Sequence, residues 1–256
     1  MKKLFNPIVL ISSLLIMAMA CTKTDTPVSN NSNSTGTDEL AIYKKVYGAT
    51  SIYTQVINDT TFVVFTTVDT PDHKSPYYKT TQWESRKYIA DTASSFKINP
   101  SVIVQQSLVF KIPLHPVVKT NKTATPLGPI GISLNGVPFF NQYAAGRATL
   151  TYEKLSFDQY GGHPQQQGQY HYHVEPKWLT QNKGEDALLG FLLDGFPVYG
   201  PMENGKTISN SDLDQYHGHT SATADYPAGI YHYHITSTDP YINGSGFYGV
   251  PGTVSQ

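Results

Sequence analysis

The feature that most constrains this chain is a set of three matched segments that occur twice in the same order, because whatever fold forms must satisfy both copies. Gly131-Ile132-Ser133-Leu134-Asn135-Gly136-Val137-Pro138-Phe139-Phe140 corresponds to Gly190-Phe191-Leu192-Leu193-Asp194-Gly195-Phe196-Pro197-Val198-Tyr199, at an offset of 59 residues. Asp158-Gln159-Tyr160-Gly161-Gly162-His163 corresponds to Asp214-Gln215-Tyr216-His217-Gly218-His219, and Tyr170-His171-Tyr172-His173 to Tyr231-His232-Tyr233-His234. Asn135-Gly136 and Asp194-Gly195 are each flanked by apolar residues and predict two-residue type I′ hairpin turns. The β-branched and aromatic stretches 60–68 and 102–112 predict further strands, while only 186–193 and 209–216 offer helical turns. Eighteen Tyr, 20 Gly and 17 Pro in 256 residues suit strands broken by turns. The expectation is a mainly β, single-domain fold over 40–256 with little helix, its internal repeats, about 131–173 and 190–234, related by a pseudo-twofold axis.

The N-terminus reads as an address. Met1-Lys2-Lys3 is followed by an apolar run from Ile8 to Ala20, with small residues just before Cys21. A run of this length falls short of the roughly 20 residues a membrane-spanning helix needs, and Cys21 stands where a bacterial lipobox places its cysteine. Residues 1–20 are therefore read as a lipoprotein signal peptide and Cys21 as the lipidation site. The alternative, ordinary cleavage, leaves an unmodified thiol. Residues 21–39 carry almost nothing apolar and read as a flexible tether. This predicts an extracytoplasmic protein held at the cell envelope through its lipid anchor, with the outer membrane favoured.

Charge and cysteine content exclude several classes. A formal net charge of −1 and only 14% charged residues leave no basic stripe for nucleic acid. With one cysteine, neither an intrachain disulfide nor a thiolate metal cluster can form, so any metal chemistry must use nitrogen and oxygen ligands. No nucleophile elbow, Walker loop or dinucleotide fingerprint is present, and no nucleotide cofactor is expected.

Seven of the nine histidines lie between 163 and 234. On a strand, His171 and His173 share one face while Tyr170 and Tyr172 share the other, and the same holds for the second copy. Imidazoles at this spacing can converge on zinc, copper or iron. The candidate ligands are His171, His173, His232 and His234, pictured around one shared cleft with His163 and His219 at its rim. Two separate sites, one per copy, are the rival arrangement. Candidate bases or orienting groups are Asp158, Asp214, Asp194, Asp72 and His73, with Glu175 a further possible base. The opposing reading is structural, with Tyr and His satisfying their polar tips inside a sandwich core.

These residues resemble the YHYH-domain proteins of bacteria, named for the element at Tyr170 to His173 and Tyr231 to His234. The resemblance extends to Pro71-Asp72-His73-Lys74-Ser75-Pro76-Tyr77-Tyr78, to Asn99-Pro100, and to the closing Asp239-Pro240-Tyr241 and Phe247-Tyr248-Gly249. It implies a secreted or lipid-anchored protein and brings no established activity. Many relatives carry Cys where Tyr160 and Tyr216 stand, so any disulfide suspected in them cannot apply here. The leading functional expectation is a histidine-rich cleft that binds a divalent transition metal. A Tyr-rich surface for a glycan, peptide or small molecule, with structural histidines, is the alternative, followed by a metal-dependent hydrolase. A pocket like that of phosphatidylethanolamine-binding proteins, suggested by Pro227 to His234, stands behind these.

Overall fold

The computed structural model describes residues 38–48, 52–87, 95–244 and 246–256. The expected signal segment, Cys21 and most of the tether lie outside the described residues. Helix α1 (Glu39–Tyr47) starts at Asp38, whose side chain accepts from the Ala41 N–H at 3.1 Å, and ends at Gly48 in the left-handed region. Lys44 and Lys45 in its last turn complement the helix dipole. Tyr43 packs its ring on Phe191 at 4.2 Å between centroids, which docks the helix on the core.

Strands β1 (Ile52–Ile57) and β2 (Thr60–Thr67) form a hairpin across Asn58 and Asp59. Both turn residues have positive φ, 48° and 61°, as a type I′ turn requires. β3 (Leu108–Pro113) pairs with β2, so only the second half of the expected 102–112 strand is a strand. The chain continues through β4 (Val118–Thr123), β5 (Pro129–Ser133), β6 (Pro138–Phe140), β7 (Gly162–Pro164) and β8 (Tyr170–Tyr172). Helix α2 (Lys177–Lys183) follows, then β9 (Leu188–Leu192), β10 (Pro197–Tyr199), β11 (Met202–Glu203) and β12 (Lys206–Thr207). The last strands are β13 (Gly218–Ser221), β14 (Ile230–His234), β15 (Phe247–Gly249) and β16 (Thr253–Ser255).

The fold is a mainly β single domain. Its largest sheet has eight strands in the order β13-β14-β10-β9-β5-β6-β8-β7, and a four-stranded sheet runs β1-β2-β3-β16. Read from either edge, the large sheet passes through strands whose sequences match. At its centre β5 and β9 pair antiparallel with Gly131 opposite Leu192, Ile132 opposite Phe191 and Ser133 opposite Gly190.

Two expectations are corrected. The 186–193 segment is not helical: its Leu188 to Leu192 are buried throughout as β9, and a short apolar run does not reveal its period when both faces are covered. Helix forms instead at α2, between Pro176 and Gly184, whose φ of 116° ends it. In 209–216 there is a single 3₁₀ turn, Asn210–Asp212, closed by a capping box from Ser209.

The second correction concerns the hairpins. At Asn135-Gly136 and Asp194-Gly195 only the glycines have positive φ, 79° and 85°. Gly136 N–H donates to the Ser133 carbonyl and Ser133 N–H to the Val137 carbonyl, so the loop spans three residues; Leu192 to Phe196 repeats both bonds. The third residue takes up the left-handed conformation that a type I′ turn would demand of two.

Candidate metal centres

Strand pairing assembles each histidine cluster. His163 on β7 lies directly opposite His171 on β8, and His173 follows two residues after His171 on the same face. On the other edge, His219 on β13 lies opposite His232 on β14, with His234 two residues on. A cross-strand pair plus an i+2 neighbour brings three side chains together on one face of a sheet.

In the first cluster Nε2 of His171 lies 3.1 Å from Nε2 of His163 and 3.0 Å from Nε2 of His173. The fourth member is Glu153, in the 3₁₀ turn Glu153–Ser156, whose Oε1 lies 3.2 Å from His163 Nε2 and 3.9 Å from His173 Nε2. In the second, Nε2 of His232 lies 3.1 Å from Nε2 of His234. Glu203 on β11 places Oε1 3.4 Å from His232 Nε2 and Oε2 3.2 Å from His219 Nε2. Each group of three imidazoles and one carboxylate gathers its donor atoms within 4.8 Å of one another and can hold a metal ion.

The far side of each of the four His-x-His rings fixes its tautomer. His171 Nδ1 lies 3.0 Å from the Gln169 carbonyl and His173 Nδ1 2.5 Å from that of Asn141. His232 and His234 present Nδ1 to the carbonyls of Ile230 at 3.0 Å and Gly200 at 2.8 Å. A carbonyl only accepts, so each Nδ1 carries the proton and each Nε2 turns a lone pair toward its neighbours. Such backbone partners are the usual orienters of metal-ligating histidines. Asn141 and Gly200 are separated by the same 59 residues as the hairpins.

Burial disfavours the alternative in which protonated rings share the cluster. It pushes His171 well below the ordinary imidazole range and His173 and His234 down to about 4, with neighbouring histidines adding to the shift. His232 is lowered by burial as well. Burial raises Glu153 and Glu203, yet both end lower than an ordinary carboxyl: His163 and His173 act on the first, and Ser221 and the three imidazoles on the second. Burial thus favours the neutral form of His171, His173, His232 and His234 beside a carboxylate held in its ionised form.

The tyrosines on the opposite face carry the scaffold. Tyr170 donates to both oxygens of Asp158 at 2.9 Å, and Tyr231 donates to Asp214 Oδ1 at 2.9 Å. Glycine permits this reach: a Cβ on Gly162 or Gly218 would lie 2.5 Å from the Tyr170 or Tyr231 hydroxyl oxygen. Tyr233 donates to Asp194 Oδ2 at 2.6 Å, while Tyr172 accepts from Asn135 Nδ2 at 3.2 Å and faces His73 Nε2 at 3.0 Å. His73 Nδ1 is held by the Lys74 carbonyl, so Tyr172 donates to His73. Burial raises Asp158 and Asp194 to about 6 and lowers His73 to about 4.

The structure therefore brings His163 together with His171 and His173, and His219 with His232 and His234. The four His-x-His rings do not converge on one cleft, because β8 and β14 are separated by four intervening strands. Asp158, Asp214 and Asp194 are engaged by tyrosines on the far face, Asp72 accepts from Asn135 at 2.9 Å, and Glu175 accepts from Thr180 at 2.6 Å. Sequence reasoning missed Glu153 and Glu203. They occupy different positions relative to the matched segments, so comparing the chain with itself could not pair them.

No curated protein and no solved structure matches the chain. A family model described as YHYH protein matches residues 109–209 and 202–246. These matches take in more than half of the sequence and every member of both clusters, and the chain belongs to the YHYH protein family.

Proposed function

We propose that this protein binds two divalent transition-metal ions, one in each cluster of three histidines and a glutamate, as a lipid-anchored protein of the cell envelope. The observation that carries the reading is the set of fixed tautomers. Nε2 lone pairs 3.0 to 3.1 Å apart repel one another inside a buried site, and a bound cation turns that repulsion into ligation. The spacing suits a metal: two ligands about 2.0–2.1 Å from a tetrahedral zinc stand roughly 3.3 Å apart. Three imidazoles and one carboxylate favour zinc, copper or iron over calcium or magnesium, which prefer all-oxygen shells.

The anchor rests on the signal-like residues 1–20 and Cys21. Among the described residues no helix is long and apolar enough to cross a membrane. The test is elemental analysis of residues 38–256 after dialysis against zinc, copper or iron. Two equivalents per chain support the reading. No bound metal under any of these conditions, in a folded protein, returns the histidines to a structural role.

A further inference from the structure

The two clusters differ in what surrounds them. The Glu153 cluster opens into a cleft of about 750 Å³ whose lining includes Glu153 and all three of its histidines. The Glu203 cluster faces a pocket of about 170 Å³. The carboxylates are also held differently. Ser221 Oγ donates to Glu203 Oε1, fixing that carboxylate from outside the cluster. Among the described residues, no hydroxyl or amide holds the Glu153 carboxylate, which meets only His163 and His173. Glu153 sits on a short 3₁₀ turn beside the highly exposed Tyr152, whereas Glu203 sits on a strand paired to β12.

A fourth ligand pinned by a hydroxyl describes a coordination position that stays filled, and an unpinned one facing a large cleft describes an exchangeable position. The cleft also indicates what would enter. Glu153 is the one Asp, Glu, Lys or Arg in its lining. Gln165, Gln166 and Gln167 form one wall, with Gln166 and Gln167 exposed, and the Tyr143 and Phe140 rings and Leu127 add apolar surface. Amide side chains with aromatic faces and no counter-charge fit an uncharged ligand rich in hydroxyls.

Resting on the metal-binding reading above, we propose that the Glu153 site alone takes an exogenous ligand at its ion, that this ligand is a neutral saccharide, and that the Glu203 site is closed and structural. Phe140 stacks on His171 at 3.9 Å and covers one face of that ring, and the sugar would approach along the glutamine wall toward Glu153. A hydroxyl oxygen displaces the Glu153 carboxylate or joins the coordination sphere beside it; no bond within the sugar is broken.

The test uses the 38–256 chain loaded with cobalt(II), whose visible spectrum reports its coordination. His232→Ala leaves the Glu153 site and His171→Ala leaves the Glu203 site. Glu203→Ala and Glu153→Ala serve as a second pair if a histidine variant does not fold. Azide is expected to shift the spectrum when the Glu153 site remains and to leave the other unchanged. A neutral gluco-oligosaccharide is expected to compete with azide at the Glu153 site, with Gln166→Ala and Tyr143→Ala each weakening it by about tenfold. Equal azide response at both sites, or response at the Glu203 site only, overturns the division of roles. Competition by a neutral Gly-Ser peptide or an acidic oligosaccharide without competition by the neutral one overturns the ligand class. Failure to bind cobalt at either site in the unsubstituted chain is a different result, and it overturns the metal reading itself.

Discussion

Ser156 ties His163 to the turn that carries Glu153. The Ser156 hydroxyl donates to the Glu153 carbonyl at 2.7 Å, and its oxygen lies 2.7 Å from His163 Nδ1, on the side of the ring away from His171. A serine thus helps to orient His163, as backbone carbonyls orient His171 and His173. Ser156→Ala should weaken metal binding at the Glu153 site by roughly 10–100-fold, the range for losing an orienting partner of a ligating histidine. Isothermal titration with zinc, on a variant in which the other site has been removed, measures this directly. Unchanged affinity would show that the ring is oriented by other contacts.

The two clusters should empty independently. Paired replacement of His171 and His173 by Ala is expected to remove one metal equivalent, and paired replacement of His232 and His234 the other. Since they share no residue, their effects on metal content should add. Loss of both ions from either double variant, with folding intact by near-ultraviolet circular dichroism, would contradict this.

Acid should destabilise the metal-free protein. His73, His173, His217 and His234 are lowered by burial to about 4, and His171 and His232 are also lowered. Between about pH 6.5 and pH 4 the unfolded chain therefore binds more protons than the folded one, and stability falls as pH falls. Asp158 and Asp194, raised by burial to about 6, act in the opposite sense between about pH 6 and pH 4, but they are two against six. The thermal midpoint should drop from pH 7 to pH 5, and the increase produced by zinc at pH 7 should shrink at pH 5 because ligation requires neutral imidazole. Differential scanning fluorimetry across that range reads both effects.

The tyrosine face should matter to folding more than to metal content. The Tyr233 hydroxyl donates to Asp194 and accepts from the Tyr248 N–H at 2.8 Å, and Gly249 N–H donates to the same Asp194 oxygen at 2.9 Å. Tyr233→Phe leaves a buried carboxylate short of a donor and a backbone N–H short of an acceptor, each costing about 1–3 kcal/mol. Urea unfolding should show a loss of that order while two metal equivalents are retained.

The anchor has its own check. Cys21→Ser is expected to move the protein from the membrane fraction to the soluble fraction, and mass spectrometry of the unsubstituted chain to find acyl groups on Cys21. Retention of the variant in membranes together with an unmodified wild-type N-terminus would remove the anchor.

The histidine triads were legible because their geometry is local to a strand pair: alternation puts His171 and His173 on one face, and the matched Asp-to-His segments flagged His163 and His219. The carboxylates were not. Asp158 and Asp214 travel with the histidines in sequence, yet they sit where a tyrosine on the other face can reach them. Glu153 and Glu203 arrive from a 3₁₀ turn and a two-residue strand whose positions depend on tertiary packing. The same limit explains Leu188 to Leu192, where burial on both faces erased the period that separates strand from helix.

The order of the large sheet sets how far apart the proposed ions must act. From β8 to β14 there are five strand-to-strand steps of about 4.8 Å, on the order of 24 Å measured along the sheet. Binuclear catalytic centres hold their metals roughly 3.5–4 Å apart, so no hydroxide or substrate oxygen could bridge this pair. Whatever reaction or recognition either ion supports is mononuclear.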